Sequence, residues 1–250
     1  MMPTKDHAVF IAPTNKEVTI WRYLDLSKFV SMLATSSLFF ARADCLGDPL
    51  EGSSSRPSVA NRPELIADFA KEHGAVGDIE SESRRMAGII SQTQQEQLKR
   101  TYVNCWHMNE HESAAMWRLY AKSDEAIAIK SRYSTLVRCI DEHCYVGQIV
   151  YLDYEVDPMP QGNALIPFVC KRMSFEHEHE LRAVTTLNSA DGKAHPTGIQ
   201  KSVDLNALIE TVYVSPLSAT WFKETVMDLT QKYGLQKQVL QSNLLVDPVY

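Results

Sequence analysis

Apolar residues at strand spacing and then at helical spacing follow each other in the first part of the chain. Residues 18–23, VTIWRY, are dense in β-branched and aromatic side chains and predict a strand. In the next segment, LDLSKFVSMLATS, apolar residues recur three and four positions apart, which predicts a helix with Asp25 as its N-cap. Residues 37–44, SLFFARAD, predict a second strand, so we expect the chain to open with strand, helix and strand.

A mostly polar region follows and predicts a loop and two helices. Residues 45–63 are rich in Gly, Ser and Pro, which is typical of a long surface loop. The segment PELIADFAKEHG starts with Pro and ends with Gly, as helices often do, and SESRRMAGIISQTQQEQLKR predicts a further helix. We interpret residues 46–100 as a helical insertion that can act as a lid.

The remainder of the chain mixes strands with helices. Strands are predicted at residues 101–108 and in the segments AIAIKS, QIVYLDYEV, ELRAVTTL, TVYVSP and QKQVLQSNLL. Helices are predicted in NEHESAAMWRLYAKSDE, near LIPFVCKRMS, and in ATWFKETVMDLTQKYG, which stops at Gly234. The order predicts one α+β domain over residues 1–250, with a mixed, mainly antiparallel sheet and the insertion at 46–100.

Composition excludes several classes of protein. The net charge of −6 argues against broad attraction to nucleic acid but leaves room for a local basic groove. No apolar run approaches the roughly 18 residues that a membrane span needs, so we expect no membrane partner. The five cysteines include no CxxC pair, and the chain start lacks a signal-peptide pattern. We therefore expect a protein of the reducing cytoplasm.

The most unusual chemistry is the run of alternating Glu and His before the apolar segment LRAVTTL. In an extended chain Glu176, Glu178 and Glu180 would share one face, with His177 and His179 on the other. Crowded carboxylates repel one another, which raises the pKa of one member and suits acid–base or cation-stabilising chemistry. The alternative is a solvated turn, but Glu180 stands at the mouth of a predicted core strand.

A metal site is a second interpretation of the same run. His177 and His179, joined by His143, Cys144 or His107, have the donor types that zinc or iron prefers. No third ligand stands out from the pattern, however, and we expect no metal.

Aromatic residues surround a predicted strand-to-helix junction. Trp106, Trp117 and Tyr120 could sandwich a flat ring there, although aromatic residues at such positions more often belong to the core. Glu112 and Ser113, near the start of the helix, can cap it or contact a ligand.

The remaining candidate site residues are four charged residues and one tyrosine. Arg22, beside Tyr23 in an apolar strand, needs a carboxylate or phosphate partner if it is buried, so structural pairing and ligand binding both stay open. The loop GDPLEG presents Asp48 and Glu51, although Asp-Pro is first of all a turn signal. Arg182, in ELRAV, lies two residues after the acidic run.

Long stretches of the sequence resemble one bacterial family. WRYLDLSKFVSMLATSSLFFARADCLGDPLEG, CWHMNEHESAAMWRLY and KRMSFEHEHELRAV look like the family catalogued as domain of unknown function 2971, as do the closing VYVSPLSATWF and YGLQKQVLQSNL. The resemblance spans nearly the whole chain, apart from about 54–100, but the family name implies no chemistry.

The order of the motifs also resembles an ADP-ribosyltransferase fold. Such domains open with a strand that carries His or Arg, and Arg22 stands at that position. Their middle motif holds two aromatic residues, for which this chain offers Trp106 and Trp117. Their last motif is often E-x-E at the start of a strand, matched here by Glu178 and Glu180.

This second resemblance implies that NAD is a substrate. Glu180 would stabilise the ribose cation, Glu178 would orient or deprotonate the acceptor, and Arg22 would hold a phosphate or ribose. The tryptophan pair would stack on the nicotinamide, and the middle Ser/Thr/Tyr position is either Ser113 or Tyr120.

The resulting hypothesis is an NAD-consuming enzyme of the ADP-ribosyltransferase or NAD glycohydrolase type. It would modify a macromolecule, either protein or nucleic acid, in a toxin or phage-defence setting that can include a partner subunit. One alternative is a non-catalytic binding or sensor module that uses the same cleft. The other is a metal-dependent hydrolase or nuclease that uses His177 and His179.

Overall fold

The computed structural model describes residues 7–120, 123–187 and 194–245. The strands are β1 (Thr19–Asp25), β2 (Ser37–Arg42), β3 (Thr101–Met108), β4 (Ala126–Arg132), β5 (Tyr145–Gln148), β6 (Val150–Leu152), β7 (Cys170–Arg172), β8 (Glu180–Thr186), β9 (Gly198–Ser202), β10 (Thr211–Val214) and β11 (Val239–Gln241). The helices are α1 (Leu26–Thr35), α2 (Arg56–Ala60), α3 (Arg62–Glu72), α4 (Ile79–Leu98), α5 (Ala114–Tyr120), α6 (Tyr133–Cys139), α7 (Leu205–Leu208) and α8 (Thr220–Lys232).

The first strand, helix and strand form as their sequence pattern predicts. The Asp25 side chain accepts a hydrogen bond from the Lys28 amide at 2.8 Å, which satisfies one of the free N–H groups at the start of α1. Ser36 adopts a left-handed conformation, with φ 44°, and ends the helix. The chain can therefore turn directly from α1 into β2.

The sheet is mixed and mainly antiparallel, as predicted, with the strand order β11-β10-β4-β1-β3-β2-β9. β8 pairs with β3 and β5 beside this path, and β10–β11 and the separate β6–β7 pair run parallel. Because the helices accompany a mainly antiparallel sheet, the fold class is α+β.

β3 is the strand around which the candidate site is built. One edge pairs with β8 along almost its whole length, from Thr101 to His107. The other edge is shared, because β2 pairs with it at Tyr102 and Val103 whereas β1 pairs with it at His107 and Met108. Between these two pairings the strands β1 and β2 diverge, which leaves a gap beside the middle of β3.

Side chains of β8 alternate between the main hydrophobic core and the charged face of the sheet. Leu181 and Ala183 point into the main hydrophobic core, together with Trp106 and Phe29. Residues one step away on β8 point to the opposite face of the sheet, because successive side chains on a strand alternate. That face receives the charged residues of β8.

The two helices predicted in the insertion form as α3 and α4 and pack against each other, whereas α2 lies in the segment predicted as a loop. The role of this region as an insertion into the domain, and as a lid, stays a prediction. Among the helices of the described residues, none combines the length and apolarity that crossing a membrane requires.

Several predicted elements are wrong in length or type. The helix expected near LIPFVCKRMS is instead a 3-10 turn (Ile166–Phe168), β7, and a 3-10 helix (Met173–Glu178), because β7 pairs with β6 and interrupts any helix. The strand expected in QIVYLDYEV shortens to β6. The short elements α6, α7, β5 and β9 were not predicted, since each offers too few residues to show a period.

Candidate active site

Five charged side chains meet beneath one face of the sheet, and we call them the carboxylate cluster. Its members are Glu51, Glu178, Glu180, Lys171 and Arg182, and all five are buried. Glu180 and Arg182 lie two residues apart on β8 and so share a face, whereas the others come from β7 and two connecting segments. Three carboxylates meet two cations here, which leaves a formal charge of −1.

Glu180 is the most deeply buried carboxylate of the cluster, with 3% of its surface exposed. Its Oε1 accepts from Arg182 Nε at 2.8 Å, and its Oε2 accepts from Arg182 Nη2 and Lys171 Nζ, both at 3.0 Å. Burial alone would raise the pKa of the Glu180 carboxyl, but the charges of Arg182 and Lys171 outweigh it and lower the pKa to about 2. The group is therefore a fixed, ionised carboxylate.

Glu178 is the member that reaches toward solvent. Its Oε2 accepts from Lys171 Nζ at 2.5 Å, and its Oε1 accepts from the Tyr120 hydroxyl at 3.3 Å. Tyr120 is 42% exposed. Burial and the neighbouring Glu178 charge raise the pKa of the Tyr120 phenol, which therefore stays protonated and acts as a neutral donor. Of these two carboxylates, Glu178 has the more exposed side chain, 10% against 4% for Glu180.

The loop with Asp48 and Glu51 closes the cluster from the far side. Glu51 Oε1 accepts from Arg182 Nη1 at 2.7 Å, and the same nitrogen donates to the Phe168 carbonyl at 2.9 Å. Asp48 accepts two hydrogen bonds from Arg172, at 2.7 and 3.1 Å. This bidentate pair fixes the loop that carries Glu51.

The alternation expected for the run of Glu and His is wrong. The 3-10 helix Met173–Glu178 and the left-handed His179, with φ 39°, replace the extended chain. As a result Glu176 and His177 are exposed along with His179, whereas Glu178 is turned inward. Glu178 and Glu180 nevertheless converge, because both reach Lys171.

Arg22 lies at the point where β1 leaves β3. Its Nη1 donates to the Cys105 carbonyl at 3.0 Å, and its Nη2 lies 3.5 Å from the Phe39 carbonyl on β2. Burial lowers the pKa of its guanidinium. Arg22 is half-buried, and among the described residues no carboxylate lies within ion-pair distance of its guanidinium.

Cys105 connects Arg22 with the carboxylate cluster. Its carbonyl accepts from Arg22, while its side chain lies against Glu180 on the other face. Burial first, and the Glu180 charge second, raise the pKa of the Cys105 thiol, which is therefore no nucleophile at neutral pH. Arg22 and Glu180 thus lie on two sides of the same β3 residue.

The tryptophan pair does not form an open sandwich. Trp106 is 2% exposed in the main core, and Trp117 is 4% exposed in a separate cluster with Tyr23. Their indole N–H groups donate to Asn104 at 2.7 Å and to Glu112 at 3.1 Å. Neither ring offers the free face on which a nicotinamide would stack.

Ser113 and Tyr23 support the start of α5. The Ser113 amide donates to the Tyr23 hydroxyl at 2.9 Å, and the Ser113 hydroxyl accepts from the Met116 amide at 3.3 Å. Tyr23 also meets the Trp117 ring edge-on, with ring centres 5.0 Å apart. These contacts orient the helix that ends at Tyr120. Ser113 and Tyr23 therefore affect the site by positioning this helix.

Two residues of the site were not predicted. Lys171, which pairs with two carboxylates, lies in the apolar segment FVCKRM. A single lysine in such a segment is the signal that could have indicated a buried ion pair. His107 was considered only as a metal ligand. Its Nδ1 donates to the Glu178 carbonyl at 2.6 Å, burial lowers its pKa, and its buried Nε2 has no hydrogen-bond partner among the described residues.

The metal interpretation gains no support from the geometry. In residues 7–120, 123–187 and 194–245 no group of three or more His, Cys, Asp or Glu side chains is placed to hold a metal ion. The ring centres of His107 and His179 are 6.2 Å apart, and His177 is exposed.

Comparisons with known proteins include a structural similarity. No family model matches the sequence, so membership of the family of domain of unknown function 2971 stays a prediction, and no curated protein matches it. The fold is similar to that of Thermus sp. 2.9 DarT in complex with NAD+, with a TM-score of 0.40 and 10% sequence identity. The similarity covers 92% of this chain and 97% of that chain.

Proposed function

We propose that the protein is an NAD-consuming enzyme of the ADP-ribosyltransferase or NAD glycohydrolase type, with its active centre at the carboxylate cluster. The observation that carries the proposal is the convergence of Glu178 and Glu180 on Lys171, with Tyr120 at the solvent side. A fixed carboxylate with a pKa of about 2 is ionised at neutral pH and is suited to stabilising a developing positive charge.

Glu180 acts on the bond that breaks. When the bond between nicotinamide and ribose breaks, its electron pair leaves with nicotinamide and positive charge develops at ribose C1. The cluster around Glu180 has an excess of one carboxylate over its cations, so this positive charge is favoured there. Because the carboxylate is already held by Arg182 and Lys171, little reorganisation is needed during the reaction.

Glu178 acts on the bond that forms. The acceptor attacks ribose C1 through an oxygen or nitrogen and loses one proton, which Glu178 takes at Oε1, the oxygen that faces Tyr120. Arg22 supplies a cation without an acidic partner among the described residues, which suits a phosphate of NAD. The buried tryptophan pair has no part in this proposal.

The acceptor is a macromolecule, either protein or nucleic acid, and water takes its place in a glycohydrolase reaction. The toxin or phage-defence setting and a partner subunit belong to the same proposal. Incubation of labelled NAD with the protein and with separate protein, DNA and RNA fractions identifies the acceptor, because label transfers only to the correct fraction.

Nicotinamide release from NAD tests the role of the cluster. We expect release by the wild-type protein, and a fall of about a hundredfold or more in Glu178→Gln, since a positioned general base contributes about that factor. Glu176→Gln is the matched control, because Glu176 is exposed on the same 3-10 helix and should release nicotinamide at the wild-type rate. Equal rates in both variants, with wild-type thermal unfolding, would contradict the proposal.

A non-catalytic NAD or nucleotide sensor is the second candidate. Both oxygens of Glu180 are already occupied by cations, which is also what a structural carboxylate would show. Thermal stabilisation by NAD without nicotinamide release, with or without an acceptor, would favour the sensor over the enzyme.

A further inference from the structure

A cavity of about 610 Å³ lies outside the carboxylate cluster, between α3, α4 and residues 159–167. Its walls are largely apolar and include Leu65, Phe69, Ile90 and Met159. The volume lies within the roughly 300–1,000 Å³ typical of small-molecule sites. Leu65 and Phe69 are among the exposed large apolar residues, one helical turn apart on α3, and form its rim.

Arg62 lines this cavity and is its only cation among the described lining residues. The side chain is 6% exposed. Its Nη1 donates to Ser91 at 2.9 Å, and its Nη2 donates to Ser54 at 3.1 Å and to Gln94 at 3.0 Å. All three acceptors are neutral, and within the described parts of the chain no carboxylate lies at ion-pair distance.

A buried cation without an acidic partner needs an explanation. Arginine is rarely buried unpaired, because removing a charge from water has a large free-energy cost that neutral acceptors only partly offset. Burial lowers the pKa of Arg62, but a guanidinium in a protein remains charged. Two of its five N–H groups are left over by the three hydrogen bonds above.

We propose that this cavity binds an organic anion with a carboxylate or phosphate head and an apolar body. The head takes the charge of Arg62, and the body lies along Leu65, Phe69 and Ile90. A guanidinium is well suited to either head, and the hydroxyl of Ser54 and the amide of Gln94 lie within reach of the same place. The site is separate from the carboxylate cluster, because no member of that cluster lines the cavity.

Calorimetric titration of the full-length protein with three probes tests the proposal. The probes are decanoate, decyl phosphate and the uncharged decanol, each below its micellar concentration. We expect at least one anion to bind about ten- to a hundredfold more tightly than decanol, as one charge-assisted hydrogen-bonded contact provides. The anion that binds more tightly identifies the natural head group.

Two variants test the contributions of the Arg62 charge and of the apolar walls to ligand binding separately. Arg62→Gln should remove the advantage of the anion over decanol, while Arg56→Gln, an exposed arginine that pairs with Glu155 outside the cavity, should not. If Arg62→Gln does not fold, Ile90→Trp fills the cavity without removing any hydrogen bond of Arg62, and it should weaken all three probes. The proposal is overturned if the wild type binds neither anion, if it binds both no better than decanol, or if Ile90→Trp binds them unchanged.

Discussion

Lys171 and Arg182 hold Glu180 in a way that fixes both its charge and its position. Two donors from one guanidinium and a third from an ammonium leave the carboxylate little freedom to rotate. Desolvation offsets much of the attraction in such a buried group of charges, so its effect on stability is smaller than its effect on geometry. Removing a single charged member of the cluster has a larger effect on stability, because it leaves a buried charge without its partner.

Acid pH should reveal the Glu180 ion pairs. The folded-state pKa of about 2 lies below the ordinary value of 4.5, so the stabilisation is present above pH 4.5 and is lost as the pH falls toward 2. We expect the free energy of unfolding of the wild type to drop between about pH 5 and about pH 3 more steeply than that of Glu180→Gln. Urea unfolding across this range measures both slopes, and parallel curves would show that Glu180 is not held in this way.

Arg22 lies in a strand, as predicted, but its contacts differ from those that the sequence suggests. The sequence offered a carboxylate or a phosphate as the partner of a buried arginine. The structure gives it the Cys105 and Phe39 carbonyls, which are free because β1 and β2 part beside β3. Strand divergence is a property of the assembled sheet, and nothing in the local pattern WRY indicates it.

At the scale of elements, periodicity identified the long strands and helices and failed on the short ones. β3 was predicted residue for residue, and the cap of α1 followed from Asp25. The segment before β8 was predicted as extended, yet it forms a 3-10 helix that ends at the left-handed His179. Alternating charge is equally compatible with both conformations, since the choice depends on the tertiary contact of Glu178 with Lys171.

The two tryptophans illustrate a second limit. Their spacing and their position at a strand-to-helix junction are the same for a ligand sandwich and for core packing. The two tryptophans lie in two different hydrophobic clusters. The three-dimensional structure was needed to distinguish core packing from a ligand sandwich. Lys171 was missed for a related reason, because its partners are close in space but come from other elements of the chain.

The loop that carries Glu51 depends on Gly52. This glycine has φ 69°, and an added Cβ would lie 2.6 Å from Leu98 Cδ2 and 2.9 Å from the buried Phe168 ring. Gly52→Ala should therefore destabilise the fold by about 1–3 kcal/mol and lower nicotinamide release by shifting Glu51 away from Arg182. Urea unfolding and the release assay measure the two effects.

Gly47→Ala is the control for this loop. An added Cβ at Gly47 meets no atom within 4 Å, so this variant should keep wild-type stability and activity. Equal behaviour of the two alanine variants would mean that the conformation of Gly52 does not position Glu51.

At the scale of the whole molecule, charge is distributed unevenly. The chain carries a net charge of −6 and a formally negative carboxylate cluster. Arg22 and Arg62 nevertheless lie without acidic partners among the described residues, in two different places. The proposed anionic ligands are compatible with the net negative charge of the protein, because the nearby charge of each arginine outweighs distant charges that salt screens.

These two arginines are the proposed binding positions of two different ligands. We propose NAD as the ligand of Arg22 and the carboxylate cluster, which contact two sides of Cys105, and a different anion as the ligand of the apolar cavity at Arg62. The two assignments are independent, and each can fail without the other.

The most direct test is a crystal structure of the protein with an NAD analogue in which carbon replaces the ring oxygen of the nicotinamide ribose. Such an analogue cannot form the ribose cation and should remain intact. We predict that its ribose C1 lies within about 3.5 Å of the Glu178 or Glu180 carboxylate, as a near-attack arrangement requires, with a phosphate at Arg22. An analogue bound away from the carboxylate cluster, or failure to bind at all, would contradict the account.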